Sequence, residues 1–180
     1  MPENRRVRMT KSMMKEALLE LLEKKPLGKI TVKDVCANAD VNRSTFYSYY
    51  ESVNQLLLEI EDDVLDRLPT YPDSSEGYSD EGFLLALENF FNYVRSNERL
   101  FCILIVRRDS SSFNNRLVNT VMEKYRGIMK TEDGLSARYA YVYCVSGVIG
   151  ILKEWLDGKF PISERTFAEI ALNMSVKATS

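Results

Sequence analysis

Residues 31–57 read TVKDVCANADVNRSTFYSYYESVNQLL, and this stretch decides the fold of the chain. Thr31 precedes an apolar segment and Asp34 follows it by three residues, a variant of the capping box that starts helices. The turn-forming residues Asn-Ala-Asp separate this short helix from a second one. Helices of one or two turns are unstable alone, so both should pack on a third helix. The spacing therefore predicts a helix-turn-helix over 32–38 and 43–49, with one face of the second helix exposed for DNA.

The sequence on either side supplies the rest of this unit. Apolar residues recur at helical spacing after Thr10, which predicts a first helix over 11–25 with Thr10 as its N-cap. Asn42 is the predicted cap of the second helix of the motif, and Ser52 that of a fourth helix over 53–68. The polar, basic residues before the first helix predict either an arm along DNA or a solubilising terminus.

The remainder of the sequence is helical as well, and it contains no β-type alternation and no internal repeat. The loop-like stretch 69–82 marks a boundary between two parts of the chain. We expect an all-α fold with about nine helices: a DNA-binding domain over 1–52 and a helical-bundle domain over 53–180. Further helices are predicted over 81–96, 98–107, 112–130, 135–157 and 164–176.

Composition and charge exclude several classes of protein. The chain has no histidine, the usual general base and commonest metal ligand, and its three cysteines have no metal or disulfide spacing. No apolar run reaches the roughly 20 residues that span a bilayer. We expect no enzyme, no metal or other cofactor, no membrane partner and a cytoplasmic location. Residues 1–50 carry ten Lys and Arg and six Asp and Glu, against fourteen and twenty in residues 51–180. This asymmetry fits a phosphate-bearing partner at the basic end, or merely uneven solvated charge.

Residues 10–60 resemble the tetracycline-repressor-like (TetR) family of bacterial transcriptional regulators. The resemblance rests on Phe46-Tyr47, Tyr49-Tyr50 and the cap at Ser52, all in register with the helix-turn-helix. Further along, Gly147-Val-Ile-Gly150, Trp155 and SERTFAEIAL resemble a C-terminal subgroup common in Gram-positive bacteria.

Two positions depart from the family pattern. The turn has Asp40 where the family usually has Gly, and Asp tolerates the left-handed conformation that such a turn requires. Val53 stands where the family commonly has a Lys that meets a phosphate. At that position only the N-terminal amides of the fourth helix remain to approach a phosphate.

The resemblance implies a double-stranded DNA operator as partner. Arg43, Ser44 and Thr45 should face base edges, and an Arg can pair bidentately with guanine. Phosphates should be met by Tyr47 and Tyr49, and by Thr31 and Lys33 at the start of the preceding helix. Asn42 either contacts DNA or only caps. Core packing is the alternative for the tyrosines, and Tyr50, four residues after Phe46, is expected to pack.

The resemblance also implies a homodimer and a small-molecule inducer. The predicted dimer interface is formed by Gly147, Gly150, Ile151, Trp155, Phe167 and Ile170. The candidate ligand pocket is lined by Phe90, Phe101, Met122, Tyr125, Tyr139 and Tyr143. Packing within one subunit is the alternative for the glycines and for the aromatic residues.

These features and the resemblance together predict a sequence-specific DNA-binding regulator that binds a near-palindromic operator. Because such regulators are more often repressors than activators, we expect a repressor that a ligand releases from DNA. The alternative is an all-helical protein-interaction module whose DNA-binding head has degenerated. Val53 and the modest positive charge of the head leave that alternative open.

Overall fold

The computed structural model describes residues 5–68, 80–107, 111–125 and 135–179. Within these residues the fold is all-α, with nine α-helices and no strand, as predicted. The chain divides into two compact units, Met1–Asp66 and Arg67–Ser180. None of the described helices is long and apolar enough to cross a bilayer. Of the predicted boundary loop, residues 69–79 lie outside the described residues.

The first unit contains four α-helices and a short 3₁₀ turn. They are α1 (Arg5–Leu22), the 3₁₀ turn (Leu27–Lys29), α2 (Val32–Asn38), α3 (Arg43–Tyr47) and α4 (Val53–Leu65). α1 packs on both α2 and α4, and α2 packs on α3. By these contacts α4 packs with the first unit. The sequence instead predicts a domain division between residues 52 and 53, which would place α4 in the second domain. That division stays a prediction.

α1 begins at Arg5, so the predicted cap at Thr10 is wrong. The Thr10 hydroxyl instead donates to the Arg6 carbonyl oxygen at 3.0 Å, one turn earlier in the same helix. The segment RRVRMTK contains no Gly or Pro to interrupt a helix. The basic residues at this end therefore lie on a helix rather than on an extended arm.

α2 begins and ends as the sequence predicts. The Asp34 amide donates to Thr31 Oγ1 at 3.2 Å and the Thr31 amide donates to Asp34 Oδ2 at 2.9 Å, which completes the capping box. At the other end Asp40 has a φ of 52°, in the left-handed region. The Val41 amide then donates to the Cys36 carbonyl at 3.0 Å, which closes the helix as a Schellman-type turn.

The caps of α3 and α4 differ. Asn42 has the extended backbone of an N-cap, but its side chain makes no capping hydrogen bond, so the predicted side-chain cap does not form. Ser52 does cap α4, because its Oγ accepts from the Gln55 amide at 3.2 Å. The Gln55 side chain reaches back to the Glu51 amide at 2.5 Å.

The core of the first unit lies between α1 and the other three helices. Phe46 from α3 is fully buried, and Tyr50 behind it packs against the Phe46 ring with centroids 5.7 Å apart. The other core side chains are Met14, Ala17, Leu18, Ile30, Val35, Cys36, Ala39, Val53, Leu56, Leu57, Ile60, Val64 and Leu65. At the edge of this core Lys15 joins α1 to α4 through Glu59 at 2.8 Å and Asp63 at 2.6 Å.

The second unit contains the remaining helices. They are α5 (Asp80–Ser96), α6 (Glu98–Phe101), a π-helical turn (Cys102–Arg107), α7 (Ser111–Tyr125), α8 (Leu135–Asp157) and α9 (Glu164–Thr179). α5 pairs with α9, and α8 contacts α7, α9 and the π-helical turn. The helix predicted over 98–107 thus widens after Phe101. The predicted end of α7 at residues 126–130 lies outside the described residues.

An aromatic cluster joins α5, α8 and α9. The Trp155 and Phe167 rings stack with centroids 4.6 Å apart, and Phe91 meets Phe167 edge-on at 4.7 Å. The Ile162 carbonyl accepts from Trp155 Nε1 at 3.1 Å and from an Arg95 guanidinium nitrogen at 3.2 Å. This cluster fixes the turn between α8 and α9 to the end of α5.

Phe46 and Tyr47 are neighbours whose substitutions should lower stability by very different amounts. Phe46 is 0 % exposed and Tyr47 is 58 % exposed. Phe46→Ala leaves a cavity beneath α3 and should lower the free energy of unfolding by about 3–5 kcal/mol. Tyr47→Ala removes only surface contacts and should lower it by about 1 kcal/mol or less. Urea unfolding followed by circular dichroism measures both, and equal losses would contradict the assigned packing.

The cap of α2 predicts a pH dependence. A hydrogen bond from Lys25, at 2.9 Å, and the bonds from Thr31 hold the pKa of Asp34 at about 2, below its ordinary 3.8. A lowered carboxyl pKa adds stability above the ordinary value, and this stability is lost as the pH falls towards 2. Asp34→Asn should therefore lower the melting temperature at neutral pH, and its difference from wild type should shrink below pH 3.8.

Lys25→Met removes the other half of the same pair and should give a similar loss at neutral pH. Thermal unfolding across the acid range measures both variants. A difference between Asp34→Asn and wild type that stays constant with pH would contradict the assigned ion pair.

Candidate nucleic-acid interface

α3 presents a polar surface above its buried Phe46. Arg43, Ser44 and Tyr47 are exposed, whereas Thr45 is half-buried. Tyr47 stands edge-on to the Phe46 ring at 5.7 Å, so the core fixes the base of an otherwise exposed ring. All eight predicted DNA-binding side chains are at least partly exposed: Thr31, Lys33, Asn42, Arg43, Ser44, Thr45, Tyr47 and Tyr49.

The two tyrosines that follow α3 differ in burial. Tyr50 is buried, as predicted, and Lys11 lies 5.8 Å from the centre of its ring. Tyr49 is half-buried, with its ring tilted against that of Tyr50 at 6.5 Å. Tyr49 therefore keeps part of its ring at the surface.

The start of α2 provides one cation and an engaged hydroxyl. Lys33 is exposed in the first turn of α2. The Thr31 hydroxyl donates to Asp34 Oδ2 at 3.0 Å, and Lys25 Nζ lies 2.9 Å from the same oxygen. The proton of the Thr31 hydroxyl is thus already used in the cap, and a phosphate would have to compete for it.

Val53 belongs to the core rather than to the polar surface. Its side chain is 8 % exposed in the first turn of α4. The Gln55 amide donates to Ser52 Oγ, and the first helical hydrogen bond runs from the Leu56 amide to the Ser52 carbonyl. The amides of Val53 and Asn54 come before that bond, where a helix offers no carbonyl partner. The helix N-terminus can meet a phosphate with these amides, but position 53 carries no charge.

The first turns of α1 lie beside α3, which the sequence did not predict. Arg6, Val7 and Thr10 line one side of an open groove of about 430 Å³. The side chains from α3 and the residues after it are Ser44, Thr45, Ser48 and Tyr49. The sequence does contain a pattern that predicts this arrangement. Arg6, Val7 and Thr10 are spaced so that they share one face of a helix, provided that the helix begins before Arg6.

Of the six predicted ligand-pocket residues, the described side chains show one direct contact, between Phe90 and Phe101. Phe90 and Phe101 meet edge to face at 6.1 Å, and Phe101 is fully buried. Tyr139 and Tyr143 on α8 are 63 % and 70 % exposed. The side chains of Met122 and Tyr125 lie outside the described part of the structure.

The predicted dimer-interface residues separate into two groups. Gly147 and Gly150 are exposed on α8, and a Cβ at either would meet open space. Ile170 on α9 is exposed and Ile151 is half-buried. Trp155 and Phe167 are core residues of the second unit, stacked on each other, so they cannot form a surface for a partner.

The cysteines and carboxylates of the described residues form no metal site. Within the described ranges, no group of three or more Cys, Asp or Glu is placed to hold an ion. Burial raises the pKa of the Cys36 thiol, and the charge of Arg43 opposes that rise. Burial also raises the pKa of Cys144, whose Sγ lies 3.7 Å from the Ser175 carbonyl oxygen.

Sequence profiles of known families cover both units. The profile described as "Bacterial regulatory proteins, tetR family" matches residues 16–60. A second profile, "Transcriptional regulator C-terminal region", matches residues 83–177, more than half of the chain. Among curated proteins, none matches the chain significantly.

Solved structures with the same fold match almost the whole chain. A TetR transcriptional regulator from Streptococcus agalactiae 2603V is 25 % identical, with a TM-score of 0.71 over 95 % of this chain and 96 % of that one. NalD of Pseudomonas aeruginosa, described as the secondary repressor of the MexAB-OprM multidrug efflux pump, is 17 % identical (TM-score 0.69, 97 % and 98 % covered). The dihydroxyacetone kinase operon activator DhaS is 19 % identical (TM-score 0.56, 93 % and 94 % covered).

The profiles and the helix-turn-helix agree on one class of protein. Regulators of this class are DNA-binding transcription factors and not enzymes. The first unit carries the helix-turn-helix that matches the family profile, and the second matches the C-terminal region of transcriptional regulators. The chain belongs to the TetR family of bacterial transcriptional regulators.

Proposed function

We propose that the protein is a homodimeric, sequence-specific repressor that binds a near-palindromic operator and is released by a small-molecule ligand. The observation that carries the proposal is the exposed polar surface of α3, with Arg43 at its first position, above a fully buried Phe46. A short helix with one face fixed by the core and the other exposed suits insertion into a major groove.

Within this proposal, the DNA-binding side chains divide into two roles. Arg43 and Ser44 meet base edges, because they open the helix and the N-terminal part of a recognition helix contacts bases. Tyr47 places its hydroxyl near the DNA backbone. Lys33 and Tyr49 contact flanking phosphates, which fix register without selecting sequence.

The dimer proposal rests on one face of α8 and α9. Tyr139, Val142 and Tyr143 follow one another along α8 and are all exposed, as are Gly147 and Gly150 further along. Ile170 and Met174 on α9 are exposed apolar residues as well. A partner would remove these large apolar side chains from water, and the glycines let a second helix approach closely.

The direction of regulation and the ligand are part of the proposal too. NalD is named as a repressor and DhaS as an activator, so relatives of this fold include both outputs. We favour repression because a dimer on an operator can block transcription by occupancy alone. A ligand would act in the second unit, and Phe90 and Phe101 remain candidates for its lining.

Two substitutions test the DNA-binding surface. Arg43→Ala should relax preference at one base position per half-site, because a bidentate Arg discriminates by about 1–3 kcal/mol. Lys33→Ala should weaken binding to every sequence and make the plot of log affinity against log salt shallower by about one unit per half-site. Titrations on a duplex selected in vitro and on its single-base variants measure both.

Lys24→Ala is the matched control, since Lys24 is an exposed cation of the first unit after α1. It should keep the wild-type preference and nearly the wild-type salt slope. Unchanged sequence preference in Arg43→Ala would contradict the placement of Arg43. If the wild-type protein selected no DNA sequence, the result would support the alternative hypothesis of a protein-interaction module that no longer binds DNA. The buried Val53 favours that alternative.

Tyr143→Glu tests the dimer face. Tyr143 is 70 % exposed, so the change should leave the subunit folded. In a dimer that uses this face, the change buries a negative charge from each subunit and should raise the dissociation constant on the order of tenfold or more. Leu85→Glu on α5, with Leu85 52 % exposed, is the control and should not change it. Sedimentation equilibrium that shows equal dissociation constants would contradict the assigned face.

A further inference from the structure

The groove between α1 and α3 has the chemistry of an anion site. Its described lining contains the guanidinium of Arg6, several hydroxyl groups and no carboxylate. Val7 is the single aliphatic residue of the lining. A guanidinium beside hydroxyls is a common arrangement for phosphate oxygens.

The hydroxyl groups of the groove are not equivalent. Thr10 donates its proton to the Arg6 carbonyl at 3.0 Å, and Ser48 donates its proton to the Ser44 carbonyl at 2.8 Å. Both of these hydroxyls therefore face the groove as acceptors, and they do not favour an anion. The other donors of the lining are the Arg6 guanidinium and the hydroxyls of Ser44, Thr45 and Tyr49. Ser44 is the one that the proposed function already assigns to a base edge.

The position of the groove connects it to the DNA surface. Ser44 and Thr45 line the groove, and both follow directly on Arg43 in the same short helix. An anion bound there lies next to a helix proposed to enter the major groove, where the nearest anions are backbone phosphates. The start of α4 supplies no cation, because position 53 is a buried Val.

We propose that Arg6, Thr45 and Tyr49 bind one DNA phosphate in each half-site, in the groove between α1 and α3. The proposal rests on the proposed function and adds a contact to it. It moves Thr45 from the base-reading set to the anchoring set. It also gives the early start of α1 a function. A helix that began after Thr10 would not position Arg6 in the groove.

The first test compares two arginines of α1. Arg6 lines the groove, whereas Arg8 is exposed on the same helix and is not part of the lining. Arg6→Ala should weaken binding to a duplex selected in vitro on the order of tenfold per half-site, because it removes a charged hydrogen bond. It should also make the salt slope shallower by about 0.9 per half-site. Arg8→Ala should cause a smaller loss, through long-range charge only.

The second test identifies the phosphate. Each phosphate of the selected duplex is replaced in turn by an uncharged methylphosphonate, and binding is measured for wild type, Arg6→Ala and Arg8→Ala. In wild type, one position per half-site should lose affinity on neutralisation, and Arg6→Ala should abolish that loss. Tyr49→Phe should reduce the loss at the same position, and Arg8→Ala should leave it intact.

The outcomes separate this proposal from the one it rests on. If wild type selects no sequence, the proposed function fails and the groove proposal fails with it. A second outcome is that wild type binds specifically, but Arg6→Ala and Arg8→Ala lose the same affinity on neutralisation of every phosphate. In that case only the groove proposal is overturned. Thermal unfolding of Arg6→Ala checks that the variant is folded at the temperature of the binding assay.

Discussion

The burial of Phe46 is the interaction on which the DNA-binding surface depends. α3 has only five residues, too few to be stable as a helix in water. Its register is set because Phe46 enters the core of the first unit, with Tyr50 packed against it. Once Phe46 points inward, the helical period directs Arg43, Ser44 and Tyr47 outward. The polar surface is thus a consequence of one apolar anchor.

α1 has two tasks in the first unit. Its middle supplies Met14, Ala17 and Leu18 to the core, and Lys15 ties it to α4. Its first two turns extend beyond this core and bring Arg6 beside α3. The length of α1 therefore affects both stability and charge at the surface. In our proposal this charge contacts a DNA phosphate, whereas position 53 at the start of α4 is a buried Val.

Local rules predicted local features well. The Thr31 capping box, the left-handed Asp40 and the Ser52 cap all follow from side-chain chemistry within four residues. The start of α1 is predicted too late because Thr10 is an acceptable N-cap residue. In the structure the helix continues through Thr10, whose hydroxyl bonds to the Arg6 carbonyl instead. In the second unit, periodicity identified apolar positions but could not say which of them face a partner. Trp155 and Tyr143 have similar patterns in sequence, yet one is in the core and the other is exposed.

The most direct test of the account is a gel-shift titration of the wild-type protein at several salt concentrations. The probes are the DNA upstream of its own gene and a scrambled duplex of the same composition. The account predicts a retarded complex on one probe at concentrations where the scrambled duplex stays free, with affinity falling steeply as salt rises. Binding that is absent, or equal on both probes and insensitive to salt, would contradict it.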